Sequence, residues 1–402
     1  MSGSIPPWLL HRLVDLGGCV PFRTYMEWVL HDPDHGYYGN GRARIGPGGD
    51  FATSPSLGGE FAELLLPQLI QWLEQIPGER LSLLEAGPGE GQLIQQVVQG
   101  LVQQRPDLAA RTEIVLLDPN PGMAARQARR LEASPVPARW SSWEALYPDP
   151  LQGVVIAHEV LDALAVDRVV WDGQQWRSQL VSLEGHQLVL TAGDVLPPAE
   201  QDGMARLVPS STSLQTGWCT ELHTGLLPWF EACARGLREG VLLVIDYALE
   251  ANRYYAPTRG DGTLMAYHRQ QASTDPFLDP GQWDLTAHLC VEATQEAAAA
   301  TGWNCLGERR QGEALLALGL AQRLSALGAS PKSNLAEVLS QREQLLRLVD
   351  PRATGDFRWL VFGRSGGGRW APVVQSRCLL DPPFLEEQPS APPGNPQVYG
   401  QA

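Results

Sequence analysis

Along the chain the apolar residues follow two rhythms, and the change comes near Leu81. In "VPFRTYMEWVLHDPDHGYY", Tyr25, Trp28 and Val29 stand at i, i+3 and i+4, on one face of a helix that Pro21 opens and "HDPDHG" closes. After the glycine-rich "IGPGGD", Ser54 and Pro55 read as an N-cap and first helical position. Phe61, Leu64, Leu65, Leu69 and Trp72 then form an apolar stripe, with a kink expected at Pro67. Residues 1–80 are therefore predicted as a helical N-terminal cap.

From Leu81 short continuous apolar runs alternate with helical stretches. "LSLLEA", "EIVLLD" (Glu113–Asp118), "GVVIAHEVLDAL" (Gly153–Leu164) and "EGVLLVIDYA" (Glu239–Ala248) read as buried strands. "GQLIQQVVQGLVQQ" and "GMAARQARRLEA" read as helices between them. Continuous apolar strands separated by helices predict an α/β fold, with a parallel sheet covered on both faces, over residues 81–380. Two stretches break the rhythm. Residues 166–210 alternate in the β manner around Asp172-Gly173, which predicts an inserted antiparallel hairpin. Residues 250–287 read as a polar loop. A helix near 288–301, "WNCLGERR", leucine-rich helices and "DFRWLVFGR" close the fold. The tail, 381–402, is Pro-rich and expected to be disordered. No internal repeat is present.

A length of 402 residues allows one large core and as many as two domains. The net charge of −15 argues against phosphate-neutralising contact with nucleic acid but leaves room for a basic protein partner. Cys19, Cys219, Cys233, Cys290, Cys305 and Cys378 form no CxxC pair, so reduced cysteines in a cytosolic protein are expected. No apolar run reaches the ~18–20 residues of a membrane span, so no membrane insertion is expected. The start "MSGSIPPWLLHRL" resembles neither a secretion signal nor an import peptide, and a soluble, cytoplasmic protein is the expectation.

The chemistry concentrates in "LLEAGPGEGQL", a strand, a glycine turn and a helix. Gly87, Gly89 and Gly91 permit close approach of backbone to a ligand. A pyrophosphate, however, wants free N–H groups and no negative charge. Here Pro88 lacks an N–H, and Glu85 and Glu90 would repel it, which disfavours a nicotinamide oxidoreductase. The carboxylates suit S-adenosylmethionine, whose sulfonium and α-amino groups are cationic. Asp118, 27 residues after Gly91, ends the second strand where ribose hydroxyls are bound on such sheets. The alternative readings are an N-cap of the following helix for Asp118 and a plain tight turn for the glycines, and the ligand-binding roles are favoured.

Three further blocks carry a family resemblance: "GDFATSP" (Gly49–Pro55), "HEVLDAL" (His158–Leu164) and "GTLMAYHRQQASTDPFLDPGQWDLTAH" (Gly262–His288), with "GYY" and "VIDYA" beside them. They resemble the signature blocks of the MidA / mitochondrial complex I assembly methyltransferase family, the DUF185 class, from about Pro21 to Arg364. The resemblance implies a Rossmann-like class I methyltransferase sheet, the cofactor S-adenosyl-L-methionine, and arginine N-methylation of a protein acceptor. For the mitochondrial members it implies a role in assembling complex I, and so an acceptor in an NADH-dehydrogenase-like complex. Without an import peptide this chain is similar to a bacterial-type member. It departs from the family at His158, Ser56 and Ala248, where an asparagine, a glutamate and a glycine are usual. Those departures sustain a second reading, a cofactor-binding assembly or docking factor with weak or lost activity.

With the resemblance, Asp50, Thr53, Ser54 and Pro55 are expected at the cofactor, the last two at a helix start whose free N–H groups and positive dipole end face the cofactor's carboxylate. Glu159 lies just past a strand's carboxyl end, where open α/β sheets bind ligands, and carboxylates hold guanidinium bidentately. Asp162 would share its face if the segment turned helical. His158, with an ordinary pKa of ~6.5, could accept a proton. Helix capping by Glu159 and Asp162 is the plainer alternative. His268, Arg269, Asp284, Thr286 and His288 either shape the acceptor site or fix their own loop. His268 and His288 lack metal-ligand spacing, and no metal is expected.

Overall fold

The structure is a computed structural model that describes residues 5–41, 43, 46, 49–50, 53–329, 335–366 and 376–381. The expectation for the tail therefore falls almost wholly outside the described residues, as do Phe51 and Ala52 of the first block.

Seven strands build the central sheet: β1 (Leu81–Ala86), β2 (Thr112–Leu117), β3 (Ala138–Ser141), β4 (Leu151–His158), β5 (Leu237–Asp246), β6 (Asn304–Arg310) and β7 (Arg358–Arg364). Their order is β6-β7-β5-β4-β1-β2-β3. The five from β3 to β5 are parallel, and β7 runs antiparallel between β5 and β6. This is the α/β sheet that the apolar runs predict, in the Rossmann-like arrangement that the resemblance implies. β1 is buried at all six positions because both faces are covered. Alternate residues supply two cores: Leu83 and Ile156 face one with α3 (Glu60–Gln75) and α4 (Gln92–Gln104). Leu84 and Val155 face the other, with α6 (Leu226–Gly236) and α7 (Val291–Ala300). Between these pairs in sequence lies α5 (Pro121–Leu131). The chain winds outward from β1 to β3, then returns to β4 on the other side of β1, which opens a crevice at the carboxyl ends of β1 and β4.

The N-terminal segment carries α1 (Pro7–Asp15) and α2 (Phe22–His31), with the strand Cys19–Pro21 between them. That strand joins a second, antiparallel sheet formed by Asp167–Trp171, Trp176–Glu184, Gln187–Val195 and Cys219–Leu222. The hairpin read around Asp172-Gly173 is present, its turn held by Asp172 Oδ1 accepting the N–H groups of Gln174 and Gln175 at 2.9 Å. It continues into a third strand.

Two local expectations change. Ser54 does not start the long helix: Ser54–Leu57 is a 3-10 turn, and α3 begins at Glu60 after Gly58-Gly59 and runs through Pro67. Thr53 caps the turn, its N–H donating to Ser56 Oγ at 2.9 Å while that hydroxyl donates to Thr53 O at 2.7 Å. Within 250–287, read as loop, a small sheet joins Met265–His268 to Gln271–Ser273 and Asp284–Thr286. Strands of three or four residues are too short to show a period. Their turn is also unusual, because Arg269 and Gln270 both have positive φ. Asp50 holds it from outside, accepting the Arg269 N–H at its carboxylate and the Gln270 N–H at its carbonyl.

Candidate active site

A cavity of about 690 Å³ lies in the crevice between β1 and β4. Its floor is the glycine turn. Gly87, Gly89 and Gly91 have φ of 59°, 51° and 75°, the left-handed region that costs a side chain dearly. At Gly87 a Cβ would also meet Val160 Cγ2 at 2.8 Å, so the turn lies directly against the segment that follows β4. Gly87 and Gly89 line the cavity, whereas Gly91 serves as the last residue before α4 and stands off the wall.

The two glutamates of the turn differ. Glu90 is paired with Arg126 at 3.3 Å, so its charge is compensated. Glu85 is 3% exposed, and its Oε2 has no hydrogen-bond partner among the described residues. Burial pushes its carboxyl up to about 8, against the pull of the Ile94 N–H. A buried carboxyl with a free lone pair calls for a cation, and an α-ammonium group supplies one. The site therefore fits S-adenosylmethionine.

Asp118 follows β2 directly and lines the cavity. Its Oδ1 accepts the Asn120 N–H at 2.9 Å and its Oδ2 accepts from Gln127 Nε2 at 2.7 Å. The cap of α5 is Asn120, which accepts the N–H groups of Gly122 and Met123, so Asp118 is not spent on capping. Asn120 also donates to the Tyr38 and Gly39 carbonyls, tying the N-terminal segment to the sheet. Gln127 donates to Gly89 O at 2.8 Å and accepts from Trp140 Nε1 at 2.8 Å. Sequence reasoning missed Gln127 and Asn120. Only Asn120-Pro121, a cap followed by a proline, could have been read locally. Trp143 and Trp229, edge to face at 6.1 Å, also line the cavity and give it an apolar wall suited to a purine.

At the end of β4 the chain turns without forming a helix. Asp246 makes the turn: its Oδ2 accepts the N–H groups of Val160, Leu161 and Asp162 at 3.3, 3.0 and 3.2 Å. Glu159 is left at φ 53°, a strained position for a side chain, with its N–H on Ile245 O at 2.9 Å. Its carboxyl lines the cavity, 6% exposed, and Oε1 lies 3.3 Å from His158 Nδ1 but accepts no hydrogen bond among the described residues. Burial, then the carboxyls of Asp246 and Asp284, hold it well above the ordinary carboxylate range, while the Ser54 N–H opposes them.

The other expected residues are placed less simply. Asp162 is buried off the cavity wall, because the segment is a turn and not the helix that would align it with Glu159. His158 lines the cavity, edge-on to Phe61 with ring centroids 5.4 Å apart. Burial lowers it to about 3, so it stays neutral and lacks the basicity its ordinary pKa suggested. Thr53 and Pro55 line the cavity. Ser54 does not; it is buried and accepts from Gln311 Nε2 at 3.1 Å. Asp50 also stands off the wall, accepting from the Tyr37 hydroxyl at 2.9 Å and lying 3.2 Å from His268 Nδ1. Among the described residues no group of three His, Cys, Asp or Glu side chains is arranged to hold a metal ion.

A family model described as "Putative S-adenosyl-L-methionine-dependent methyltransferase" matches residues 64–309, more than half of the chain. The chain is 27% identical over 392 residues to the protein arginine methyltransferase NDUFAF7 homolog, mitochondrial, of Drosophila melanogaster, covering 89% of this chain and 84% of that one. It is 26% identical over 410 residues to the Homo sapiens mitochondrial protein arginine methyltransferase NDUFAF7, with 92% and 87% covered. Among solved structures it is similar to a Burkholderia thailandensis protein bound to S-adenosyl-homocysteine. The TM-score is 0.79 and the identity 29%, over 88% of this chain and 90% of that one.

Proposed function

Because the chain belongs to this S-adenosyl-L-methionine-dependent methyltransferase family, we propose that it methylates an arginine side chain of a protein acceptor. The observation that carries the reading is Glu159, a buried carboxyl that lines the cavity from a strained backbone position, its Oε1 without a hydrogen bond among the described residues and facing the neutral ring of His158, Nδ1 at 3.3 Å. A planar cation with several N–H donors answers both the missing hydrogen bond and the missing charge. The names of the fly and human relatives support the same acceptor chemistry.

Bound in the cavity, S-adenosyl-L-methionine supplies a methyl group activated by its sulfonium. Glu85 would receive the α-ammonium group, Asp118 the ribose hydroxyls, and Thr53 and Pro55 would close the wall beside them. Glu159 holds the guanidinium, which orients the nitrogen lone pair toward the cofactor. The methylated nitrogen then carries one proton too many. Glu159, returned to its ionised form by the guanidinium charge, is the base that takes it. His158, kept neutral, packs edge-on against Phe61 and sets its Nδ1 3.3 Å from Glu159 Oε1.

The acceptor we propose is a subunit of an NADH-dehydrogenase-like complex, met in the cytoplasm, on the resemblance of the signature blocks. Mass spectrometry of that complex, from cells lacking the protein and complemented with wild type or Glu159→Gln, tests this. A methylarginine restored by wild type and absent with Glu159→Gln is expected. Its absence from every strain would sink the arginine reading, and full assembly with Glu159→Gln would favour a docking factor instead.

A further inference from the structure

Glu159 belongs to a group of four buried carboxyls, with Asp162, Asp246 and Asp284, and among the described residues none of the four is paired with an arginine or lysine. The other three all act on Asp162 through their charges, and Asp246 and Asp284 act on Glu159. Such a group is costly unless a cation from outside completes it. The hydrogen bonds separate the members. Asp246 is saturated by the N–H groups of Val160, Leu161, Asp162 and Tyr247. Asp162 accepts from its neighbour Ala163. Only two oxygens of the four carboxyls are buried without a partner among the described residues: Glu159 Oε1 and Asp284 Oδ1.

Asp284 is 2% exposed on the strand Asp284–Thr286. Its carboxyl accepts from the hydroxyl of Tyr38, and it is Tyr38, in front of Asp284, that lines the cavity, so Asp284 stands one side chain behind the wall. Directly across the small sheet stands Tyr267, so the two side chains share one face. Tyr267 lies close enough to feel the charges of Asp162, Asp284 and Glu159. Two half-buried phenol rings beside two orphaned carboxyls provide flat apolar walls and anionic ends, the surroundings a guanidinium prefers to a compact ammonium.

Resting on the arginine reading above, we infer that Asp284 is the second carboxylate of the acceptor pocket, so that the guanidinium is bound between Glu159 and Asp284, with Tyr38 positioning Asp284 and Tyr267 walling the pocket. The part first given to Asp162 passes to a residue more than a hundred positions later.

The test is calorimetric titration of the full-length protein, saturated with S-adenosylhomocysteine, using Nα-acetyl-arginine methylamide and its lysine counterpart as probes. Wild type should bind the arginine probe at least about 10-fold more tightly than the lysine probe. Asp284→Asn should weaken the arginine probe about 30-fold while leaving S-adenosylhomocysteine affinity within about twofold. Its melting temperature without ligand should rise, because a repelling charge is gone; a merely structural Asp284 would give a fall. Should Asp284→Asn fail to fold, Tyr38→Phe carries the test, with a weakened arginine probe and unchanged S-adenosylhomocysteine binding. If Glu159→Gln abolishes probe binding and Asp284→Asn does not weaken it, the inference fails and the arginine reading stands. If loaded wild type ignores the arginine probe, the arginine reading falls and takes the inference with it.

Discussion

The side-chain amide of Gln127 donates to Asp118 at 2.7 Å and to the carbonyl of Gly89 at 2.8 Å, so one buried residue sets the distance between the glycine turn and the ribose-side carboxylate. Its own orientation is fixed by Trp140. Gln127→Ala should lower S-adenosylhomocysteine affinity about 10-fold and stability by about 1–3 kcal/mol, because three half-buried partners lose their bonds at once. Calorimetry and urea unfolding on the same preparation check it. A normal affinity in a destabilised variant would mean that the turn and Asp118 hold their places unaided.

Gly87→Ala should be worse for the cofactor than for the fold. The added methyl meets Val160 Cγ2 at 2.8 Å from a φ of 59°. The turn must shift, and the cofactor's backbone contacts shift with it. Loss of about 100-fold in S-adenosylhomocysteine affinity is expected, with about 1–3 kcal/mol of destabilisation from the forced φ. Gly91→Ala, off the cavity wall, should cost stability but little affinity. Equal affinity losses in the two variants would count against this division.

Glu85 gives cofactor binding a proton signature. Burial holds its carboxyl near 8, so at pH 7 it is mostly protonated in the free protein. An ammonium group beside it favours the ionised form, and binding must release the larger part of one proton. Titration in buffers of different ionisation enthalpy at pH 7 measures that release. Glu85→Gln should abolish it and weaken binding. Zero proton release in wild type would place the ammonium elsewhere.

What could be read from the sequence is what is local or continuous. β1 and β4 are legible because burial on both faces leaves uninterrupted apolar runs, and the glycine turn because three glycines sit between a strand and a helix. Glu85, Asp118 and Glu159 follow from those strand ends. Asn120 is legible as a local cap, but its bond to Gly39, the bond of Gln127 to Gly89 and the place of Tyr38 are not, because those partners lie tens of residues away. Asp162 was placed by helical periodicity, and Asp246, 84 residues distant, bends that segment into a turn instead. Likewise the strand Cys19–Pro21 is three residues long and its partner, starting at Leu180, is supplied entirely by the tertiary fold.

The buried carboxyls also set how stability depends on pH. Asp246 and Asp284 are raised to about 7 and Glu85 to about 8, all by burial first. From pH ~4 upward the folded chain then binds more protons than the unfolded one, and stability falls until each group has ionised. Three histidines act oppositely. His158 is lowered to about 3, and His223 and His288 to about 4, so their contribution to stability is lost as pH falls below ~6.5. The two sets oppose each other below pH ~6.5, and only the carboxyls act between ~6.5 and 8. Asp246, Asp284 and Glu85 alone should therefore cost ligand-free protein on the order of 2–3 kcal/mol across that upper window, and the raised carboxyls of Glu159 and Asp162 act in the same direction. Urea midpoints at pH 6.5 and 8 measure the loss. Saturating S-adenosylhomocysteine should shrink it by the Glu85 share, and Asp284→Asn by the Asp284 share. A midpoint that stays level or rises with pH would mean these carboxyls are already compensated within the chain.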